Sequence, residues 1–344
     1  MLINCEGPFI RKVVEKVWPQ FYEKVYIPLL SYRDDRRYGP FVDAHVEKLR
    51  SQKPFPLFTK IEIETINRCN YTCSFCPVNK LVDTRPFKLM DKSLFLSIID
   101  QLKDLEYSDE ISLFSNNEPL LDNRLVEFHK ITREALPKAE LYLFTNGSLL
   151  TVDKFLELMQ YLDYMVIDNY HDKLKLIKPV RKIYEYCSKN RVYEDKVRIY
   201  VRRRTEYRET RAGQAKNRTR IRTPKSSCVL PFNQMIVRPD GKLSLCCNDA
   251  LGKMTLGDLT KEKISDVWNN DSYWSARNTL LKQGRKGQSL SIGCDHLHRI
   301  RRPRPQEPAT EVIDADLRGY FDAIPHHELV KSAPRVSDGT NPRG

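Results

Sequence analysis

Three cysteines, Cys69, Cys73 and Cys76, lie within one eight-residue stretch, separated by three and then two residues. They follow directly on a stretch at 58–66 that has the composition of a β-strand. Three thiols this close are poorly placed to form disulfides, and a structural zinc ion normally takes four nitrogen or sulfur ligands. Three thiolates can instead hold three irons of a 4Fe–4S cluster, which leaves the fourth iron open to a small chelating molecule.

Strand-like and helix-like segments alternate from residue 58 onward. The predicted strands are 58–66, 111–114, 140–144, 164–168 and 197–202, and the predicted helices are a segment capped by Asp91 and the ranges 123–134, 152–160 and 173–188. Repeated β–α units of this length predict a parallel sheet with right-handed crossovers. The predicted fold class is α/β, a partial (β/α)6 barrel of the TIM type. We expect its sixth strand within the basic segment after 202 or just beyond it, because a full eight-unit barrel would need more chain.

Polar motifs follow the first three predicted strands, at the end of the sheet where such folds carry their chemistry. The three cysteines follow the first strand, Ser115-Asn116-Asn117-Glu118-Pro119 follows the second, and Thr145-Asn146-Gly147 follows the third. In the fifth strand, apolar residues alternate with Arg198, Tyr200 and Arg202, which predicts one apolar face and one basic face. Arg202 is therefore a candidate anion-binding residue, with a solvated strand face as the open alternative.

These motifs together resemble the radical S-adenosylmethionine (SAM) superfamily. The spacing of Cys69, Cys73 and Cys76, with the aromatic Phe75 before the last cysteine, is similar to the signature of that family. The resemblance implies that the open iron of the cluster binds the amino and carboxylate groups of SAM. It further implies that an electron from the cluster cleaves SAM to a 5′-deoxyadenosyl radical, which abstracts a hydrogen atom from the substrate.

The resemblance also assigns residues to SAM. Glu118 would hold the amino group of SAM, within a segment where Asn116 and Asn117 replace the two glycines of the family pattern. Asparagine, like glycine, tolerates a left-handed backbone. Phe75 and Asn146 would flank SAM, and Arg202 would bind its carboxylate or an anionic substrate.

A second set of cysteines consists of Cys228, Cys246, Cys247 and Cys294. A hairpin predicted at 235–245, with Pro239-Asp240-Gly241 as its turn, delivers Cys246, and a helix is predicted at about 261–268. This arrangement resembles the SPASM/twitch extension of radical SAM enzymes, a small domain that binds an auxiliary 4Fe–4S cluster. The resemblance assigns Cys228, Cys246 and Cys294 as ligands and leaves Cys247 spare.

The auxiliary site departs from the family pattern at one position. Ser291 stands where the family has a fourth cysteine, and a serine oxygen is a harder and poorer ligand for iron than a thiolate. Three hypotheses stay open for this site. The first is a cluster whose fourth ligand is serine, solvent or substrate. The second is a degraded, labile site, and the third is a zinc site.

The charge of the chain is concentrated in one segment. The net charge is +13, and residues 196–225 carry twelve Lys or Arg against two Glu. Such a segment could attract RNA or an anionic substrate, or could be a solvated connector. Nine cysteines without a secretory leader predict a reducing, cytoplasmic location, and no apolar run approaches the ~18–20 residues of a membrane span.

Four regions are predicted: a helical extension at 1–57, broken at Pro19 and Pro28, the barrel at 58–222, the auxiliary domain at 223–296 and a tail at 297–344. In the tail, residues 312–326 resemble the first catalytic motif of group II intron reverse transcriptases, with Asp316 at the metal-ligand position. The second carboxylate motif that polymerase chemistry needs is absent from the sequence. The resemblance therefore implies a foreign fragment, and we expect a disordered tail.

The predicted function is that of a radical SAM oxidoreductase, active on a sugar-like metabolite or on a peptide. Flavodoxin or ferredoxin is the expected electron donor. The alternatives are a radical SAM enzyme that modifies RNA, with the basic segment as its footprint, and an inactive relic of an interrupted gene.

Overall fold

One nine-stranded sheet organises the chain, and the computed structural model describes residues 2–4, 17–52, 55–219 and 221–297. The strands are β1 (Leu2–Asn4), β2 (Lys60–Ile63), β3 (Glu110–Ser112), β4 (Glu140–Thr145), β5 (Tyr164–Tyr170), β6 (Val197–Arg202), β7 (Gln234–Val237), β8 (Lys242–Ser244) and β9 (Thr255–Asp258). Their order across the sheet is β1-β6-β5-β4-β3-β2-β7-β8-β9. The first seven strands in that order pair in parallel, whereas β8 and β9 continue the sheet by antiparallel pairing.

The five predicted barrel strands are confirmed as β2 to β6, and a sixth parallel strand lies just beyond the basic segment, one of the two places expected. In the basic segment, the described residues 203–219 and 221–225 contain no strand. Strand β7, which follows the segment, pairs in parallel with β2. On the other side of the barrel strands, the parallel neighbour of β6 is β1, in which Leu2 pairs with Arg198. The sheet is therefore the parallel sheet of an α/β partial barrel.

Helices follow the strands as the apolar periodicity predicts. They are α1 (Ile27–Arg50), α2 (Lys92–Asp104), α3 (Leu125–Ala135), α4 (Val152–Met159), α5 (Lys178–Lys189), α6 (Leu230–Asn233), α7 (Ile264–Trp268) and α8 (Asp271–Gln283). Helix α2 buries Phe95 and Ile98 in the main core, against Ile61 and Ile63 of β2. Asp91 precedes this helix as predicted, but its side chain makes no capping hydrogen bond. The helices cover one face of the sheet, so the other residues of β2 (Lys60, Glu62) face inward.

The N-terminal extension is helical from Pro19, and Pro28 does not break it. Residues Pro19–Phe21 lead into a π-helical stretch at Tyr22–Tyr26, which continues directly into α1. Proline has no N–H to donate, and the wider π turn lies just where the ordinary bond of Pro28 would be missing. The prediction of a break was wrong at Pro28, while Pro19 lies at the start of the helix as expected.

Acidic residues of the extension hold the second half of the basic segment. Asp35 accepts hydrogen bonds from the backbone N–H groups of Lys225 (2.8 Å) and Ser226 (3.2 Å), and it pairs with Arg222 at 3.2 Å. Glu23 accepts from the hydroxyl of Thr219 at 2.7 Å. The interpretation of this part as a solvated connector was wrong, because it is bound to the helical extension.

The auxiliary region is built as predicted around a hairpin. Strands β7 and β8 pair antiparallel around Gly241, whose φ of +78° suits glycine. Beyond the hairpin, Arg277 of α8 is fully buried and lies over the Trp268 ring at 4.0 Å. No helix in the described part of the chain is long and apolar enough to cross a membrane. Residues 298–344, including the segment that resembles a reverse transcriptase, lie outside the described residues.

Candidate active site

The cysteine loop that follows β2 is fixed by hydrogen bonds to its own backbone. The side-chain amide of Asn79 donates to the carbonyl oxygens of Cys73 (3.2 Å) and Cys76 (2.9 Å). The backbone N–H of Ser74 donates to the carbonyl of Arg204 at 2.9 Å, which ties the loop to the residues after β6. The loop is therefore held in shape by neutral groups that leave the three thiols available as ligands.

The three thiols lie within electrostatic range of one another. Burial raises the pKa of Cys69 to about 12 and also raises the pKa of Cys73 and Cys76, and neighbouring thiols raise the pKa of Cys69 and Cys73 further. Such thiols ionise only when a strong positive charge such as iron binds to them. Among the described residues, no group of three or more His, Cys, Asp or Glu side chains could hold a single metal ion. A cubane cluster places each thiolate on a separate iron, so this geometry fits a cluster better than one zinc ion.

Glu118 joins the ends of β3 and β4 beneath this loop. Its Oε1 accepts from the Thr145 hydroxyl (2.6 Å) and the Leu120 N–H (3.1 Å), and its Oε2 accepts from the Asn146 N–H (2.8 Å). Burial raises the pKa of Glu118 to about 7, although these hydrogen bonds oppose the increase. Since a carboxylate offers about four acceptor positions, one position remains for a cationic donor. The arrangement fits the amino group of SAM near Cys69.

Asn116 and Asn117 are buried and have ordinary backbone conformations. Neither is among the described residues with positive φ, so the replacement of glycine by asparagine requires no left-handed backbone here. The amide of Asn116 donates to the carbonyl of Cys247 at 2.9 Å and so joins the barrel to the auxiliary region. The side-chain oxygen of Asn116 and the side-chain nitrogen of Asn117 are buried without hydrogen-bond partners. Both atoms are available to a bound ligand.

Asn146 ties its turn to the cysteine loop. Its side-chain nitrogen donates to the Asn70 side chain at 2.7 Å, and its side-chain oxygen accepts from the N–H of Ser148. Gly147 has φ +71°, and a Cβ there would lie 2.6 Å from Val180. Glycine is therefore required for this turn, and Asn146 lies beside the cysteine loop; its contact with SAM stays a prediction.

Two arginines lie near the cysteine loop in different surroundings. Arg202, the predicted anion-binding residue, donates from Nε to Asp168 at 2.8 Å. Arg208, which the sequence analysis did not single out, lies over the Phe75 ring at 5.5 Å, and Phe75 also contacts Tyr170. Since Asp168 already neutralises Arg202, the geometry favours Arg208 as the cation next to Phe75. The assignment of Arg202 to SAM stays a prediction.

A polar cluster occupies the inner face of the sheet. Lys60 pairs with Glu62 at 3.3 Å, Gln234 donates to Glu62 at 3.0 Å, and Lys60 lies over the Tyr142 ring at 4.9 Å. The Cys247 thiol is within electrostatic range of Lys60 and Glu62, and burial raises its pKa to about 12. Cys247 is thus directed toward the barrel, which agrees with its exclusion from the auxiliary ligands.

Cys228, Cys246 and Cys294 are brought together from three separate segments. Each is 6% exposed, and all three lie within electrostatic range of one another. Burial raises the pKa of Cys246 and raises that of Cys294 to about 12, so these two thiols too require a metal to ionise. Ser291 is buried in the short turn Ser291–Gly293 directly before Cys294. The set can accommodate a cluster with three thiolates.

Arg211 is the second functional candidate that the sequence analysis missed. Its guanidinium is within electrostatic range of both Cys76 and Cys247. No local sequence pattern indicates that a cation at this position lies near a cysteine of each set.

Comparison with known proteins identifies the family. The radical SAM superfamily model matches residues 63–199, and a model described as an iron-sulfur cluster-binding domain matches residues 228–294. An S-adenosyl-L-methionine-dependent 2-deoxy-scyllo-inosamine dehydrogenase from Niallia circulans is 30% identical over 242 residues, which cover 70% of this chain and 94% of that protein. The chain belongs to the radical SAM superfamily.

Solved structures of radical SAM proteins share this architecture. The structure of BtrN in complex with AdoMet and 2-DOIA is 29% identical and has a TM-score of 0.62, with 70% of this chain and 94% of that chain covered. Selenomethionine BtrN in an open conformation is 25% identical, with a TM-score of 0.53 and the same coverage.

These relationships establish the class of enzyme and its cofactors. The chain is a radical SAM oxidoreductase with a SAM-binding 4Fe–4S cluster and a SPASM-type iron–sulfur domain. The comparisons give no support to the reverse-transcriptase resemblance, which stays a sequence prediction for residues outside the described part of the chain.

Proposed function

We propose that this radical SAM enzyme oxidises a secondary alcohol of a small amino-bearing polyol to a ketone. The chemistry is similar to that of the relative named as a 2-deoxy-scyllo-inosamine dehydrogenase. When bound, SAM and its cluster supply the hydrogen-abstracting radical, and the second cluster supplies an acceptor for the electron left on the substrate. The residues of this chain bind and orient the substrate between the two sites.

Polar side chains on the inner face of the sheet support this proposal. Glu62 is buried and is held by Lys60 and Gln234, so its carboxylate is oriented to receive an ammonium group. The hydroxyls of Ser112 and Tyr142 are buried without hydrogen-bond partners. Buried polar groups normally have partners, so unpartnered hydroxyls near a carboxylate fit a ligand with several hydroxyls and one amine.

RNA is the weaker substrate class, because many cations of the basic segment are used internally. Arg202 pairs with Asp168, Arg204 with Asp172, Arg218 with Asp295 and Arg222 with Asp35. A nucleic-acid footprint needs cations exposed to phosphates. Turnover of a peptide is one of the outcomes that the test below distinguishes.

Cys69, Cys73 and Cys76 are proposed as the ligands of the SAM cluster, with Glu118 on the amino group of SAM and Phe75 and Asn146 beside it. The test is anaerobic reconstitution with iron and sulfide, reduction with dithionite, and addition of SAM and 2-deoxy-scyllo-inosamine. We expect 5′-deoxyadenosine and a ketone two mass units below the substrate, in equal amounts. Cys73→Ala should abolish both products, whereas Cys187→Ala, which removes a buried thiol outside either set, should not.

Glu62→Gln tests the inner face separately. We expect KM for 2-deoxy-scyllo-inosamine to rise about tenfold, since a charge-assisted hydrogen bond to the amine is lost. The matched control is Glu110→Gln, a more exposed carboxylate that also pairs with Lys60, at 3.9 Å. An unchanged KM in Glu62→Gln, or turnover of a peptide in place of the aminocyclitol, would overturn the proposed substrate class.

The auxiliary cluster is proposed to have Cys228, Cys246 and Cys294 as ligands and an oxygen ligand from Ser291 or solvent at its fourth iron. Iron analysis of reconstituted protein is expected to give about eight irons per chain, against about four if the auxiliary site is lost. Ser291→Cys should leave this count unchanged and slow the loss of iron to a chelator, because thiolate is the better ligand. About four irons per chain in the unaltered protein would contradict this proposal.

A further inference from the structure

The loop that carries Arg211 has an unusual backbone. Three consecutive residues, Arg211, Ala212 and Gly213, have φ values of +50°, +53° and +74°. A left-handed conformation is unfavourable for residues with a Cβ because of its contact with the following carbonyl. Two of the three residues have a Cβ, so contacts from elsewhere must stabilise this turn.

Thr210 and Asp295 provide these contacts. The hydroxyl of Thr210 accepts from the N–H of Gly213 at 3.2 Å and donates to Asp295 Oδ1 at 2.8 Å. The N–H of Thr210 donates to the same Asp295 oxygen at 2.8 Å, and Arg218 pairs with the other oxygen at 2.8 Å. The Asp295 carboxylate is almost fully buried, and both of its oxygens are used.

Asp295 directly follows Cys294 in the chain, and the neighbouring residues make further contacts with the same region. The carbonyl oxygen of Gly293 lies 3.3 Å from the Thr210 hydroxyl oxygen, as a longer alternative acceptor to Asp295, and His296 pairs with Glu209 at 2.8 Å. The segment with the last auxiliary cysteine is thus bonded along its length to the turn that carries Arg211.

The turn holds Arg211 within electrostatic range of one cysteine of each set, Cys76 of the first and Cys247 of the second. A shift in the turn would change the distance of this cation from both thiols.

We propose that Asp295 is a positioning residue: through Thr210 it holds the left-handed turn that places Arg211 near a cysteine of each set. The placement of Arg211 is thereby tied to the segment that carries Cys294. This extends the proposed function, but the geometry of the turn does not depend on the identity of the substrate.

Hydrogen–deuterium exchange of the reconstituted protein tests the positioning role without substrate. In Asp295→Ala we expect the amides of residues 210–215 to exchange about tenfold faster, because their supporting carboxylate is gone. Asp295→Asn keeps an oxygen for Thr210 and should exchange close to the unaltered rate. The matched control is Thr223→Val, which removes a hydroxyl bond to Ile292 in the same segment without touching the turn.

Coupling of SAM cleavage to product formation is the second readout. With 2-deoxy-scyllo-inosamine we expect Asp295→Ala to form several 5′-deoxyadenosine molecules per ketone and to show a raised KM, with iron content and the cluster EPR signals unchanged. Asp295→Asn should restore a ratio near one. A merely structural role would lower iron content or activity without altering this ratio.

Three results would overturn the proposal: unchanged exchange at 210–215 in Asp295→Ala, no recovery in Asp295→Asn, or loss of auxiliary iron together with the faster exchange. If Asp295→Ala does not fold, Thr210→Val and its conservative partner Thr210→Ser replace the pair, with the same expected contrast. If exchange behaves as expected while no variant oxidises the probe, the proposed substrate class fails and the positioning role stands.

Discussion

Single buried carboxylates hold distant parts of this chain together. Glu118 joins the ends of β3 and β4, Asp35 holds residues 225 and 226, and Asp295 holds residue 210. In each case one side chain accepts several hydrogen bonds from backbone or side-chain donors. At Glu118 and Asp35 both carboxylate oxygens accept from backbone N–H groups, so a neutral amide cannot satisfy all the donors and even conservative changes there are expected to have large effects.

Glu118→Gln is expected to weaken SAM binding about tenfold or more. The substitution removes the charge that would pair with the amino group, and it places an amide N–H₂ where the Asn146 N–H needs an acceptor. Equilibrium binding of SAM to the reconstituted protein measures the effect. Glu127→Gln, on the exposed side of α3, serves as the control. Equal affinity in Glu118→Gln and the unaltered enzyme would show that this carboxylate does not bind SAM.

Gly147→Ala is expected to destabilise the protein by about 2 kcal/mol or more. The new Cβ would meet Val180 at 2.6 Å and Ile167 at 2.7 Å, in addition to the cost of a positive φ. Gly213→Ala isolates that second cost, because Gly213 has φ +74° and its Cβ would come no closer than 3.7 Å to another residue. We expect about 1 kcal/mol for Gly213→Ala, measured by urea unfolding. Similar losses in the two variants would contradict the steric argument.

At the residue scale, the sequence was informative wherever the signal is local. Cys69, Cys73 and Cys76 lie in one loop, and Glu118 and Asn146 lie in short segments after strands that resemble family motifs, so local sequence was enough to propose them as site residues. Arg211 and Asp295 depend on contacts across more than eighty positions of the chain. No periodicity or motif encodes such a pairing, which is why the sequence analysis missed both.

Among the elements, helix α1 stabilises the region that carries the auxiliary cysteines. Val42 and Val46 of α1 pack in one apolar cluster with Cys228 and Cys246. Above this cluster, Asp35 and Asp43 accept hydrogen bonds from the backbone at 225–227. The helix thus fixes the chain just before Cys228.

Asp35→Ala is expected to cost about 2 kcal/mol, because two backbone N–H groups and Arg222 lose their acceptor. Burial alone would raise the pKa of Asp35, but hydrogen bonds from Lys225, Ser226 and Arg222 outweigh it and lower the pKa below its ordinary 3.8. The stabilisation is therefore present above pH 3.8 and is lost as the pH falls through the lower folded-state pKa. Urea unfolding at pH 7 and at acid pH measures both effects. Asp34→Ala, on the same helix, is the control, and an equal loss in both variants would refute this role.

At the element scale, periodicity predicted the strands and helices of the β–α units well, with shifts of a few residues at their ends. Strand β1 was not predicted, because three residues are too few to show the alternation of apolar and polar side chains that indicates a strand. Pro28 misled the prediction, since a π turn that absorbs a missing N–H has no sequence signature.

Across the whole molecule, the barrel strands and the auxiliary hairpin share one hydrogen-bonded sheet through the pairing of β2 with β7. The predicted boundary at residue 222 lies before this pairing and does not separate the sheet. Sequence motifs indicate where one region ends and the next begins, whereas cooperative unfolding depends on the hydrogen bonds and packing between the regions.

We expect the cluster-free chain to unfold in a single transition in urea. Two of the three tryptophans, Trp268 and Trp274, lie in the auxiliary region and Trp18 lies in the N-terminal extension. In a Trp18→Phe background, tryptophan fluorescence reports on the auxiliary region, while far-ultraviolet circular dichroism reports mainly on the barrel. Because β2 and β7 are paired, the two signals should have the same midpoint. Two separate midpoints would show that the regions unfold independently.

The pairing of β2 with β7 also sets a length scale. The first cysteine loop leaves the sheet after β2, and Cys246 follows β8, two strands away in the same hydrogen-bonded sheet. Because β8 runs antiparallel to β2, Cys246 leaves the sheet at the edge where β2 begins, opposite the edge at which the loop leaves. Neighbouring strands keep a spacing of about 4.8 Å, and such a ladder stretches very little. The separation of the two cysteine segments is therefore set by the width and the strand length of a rigid sheet, and under the proposed function a substrate must match that separation in size.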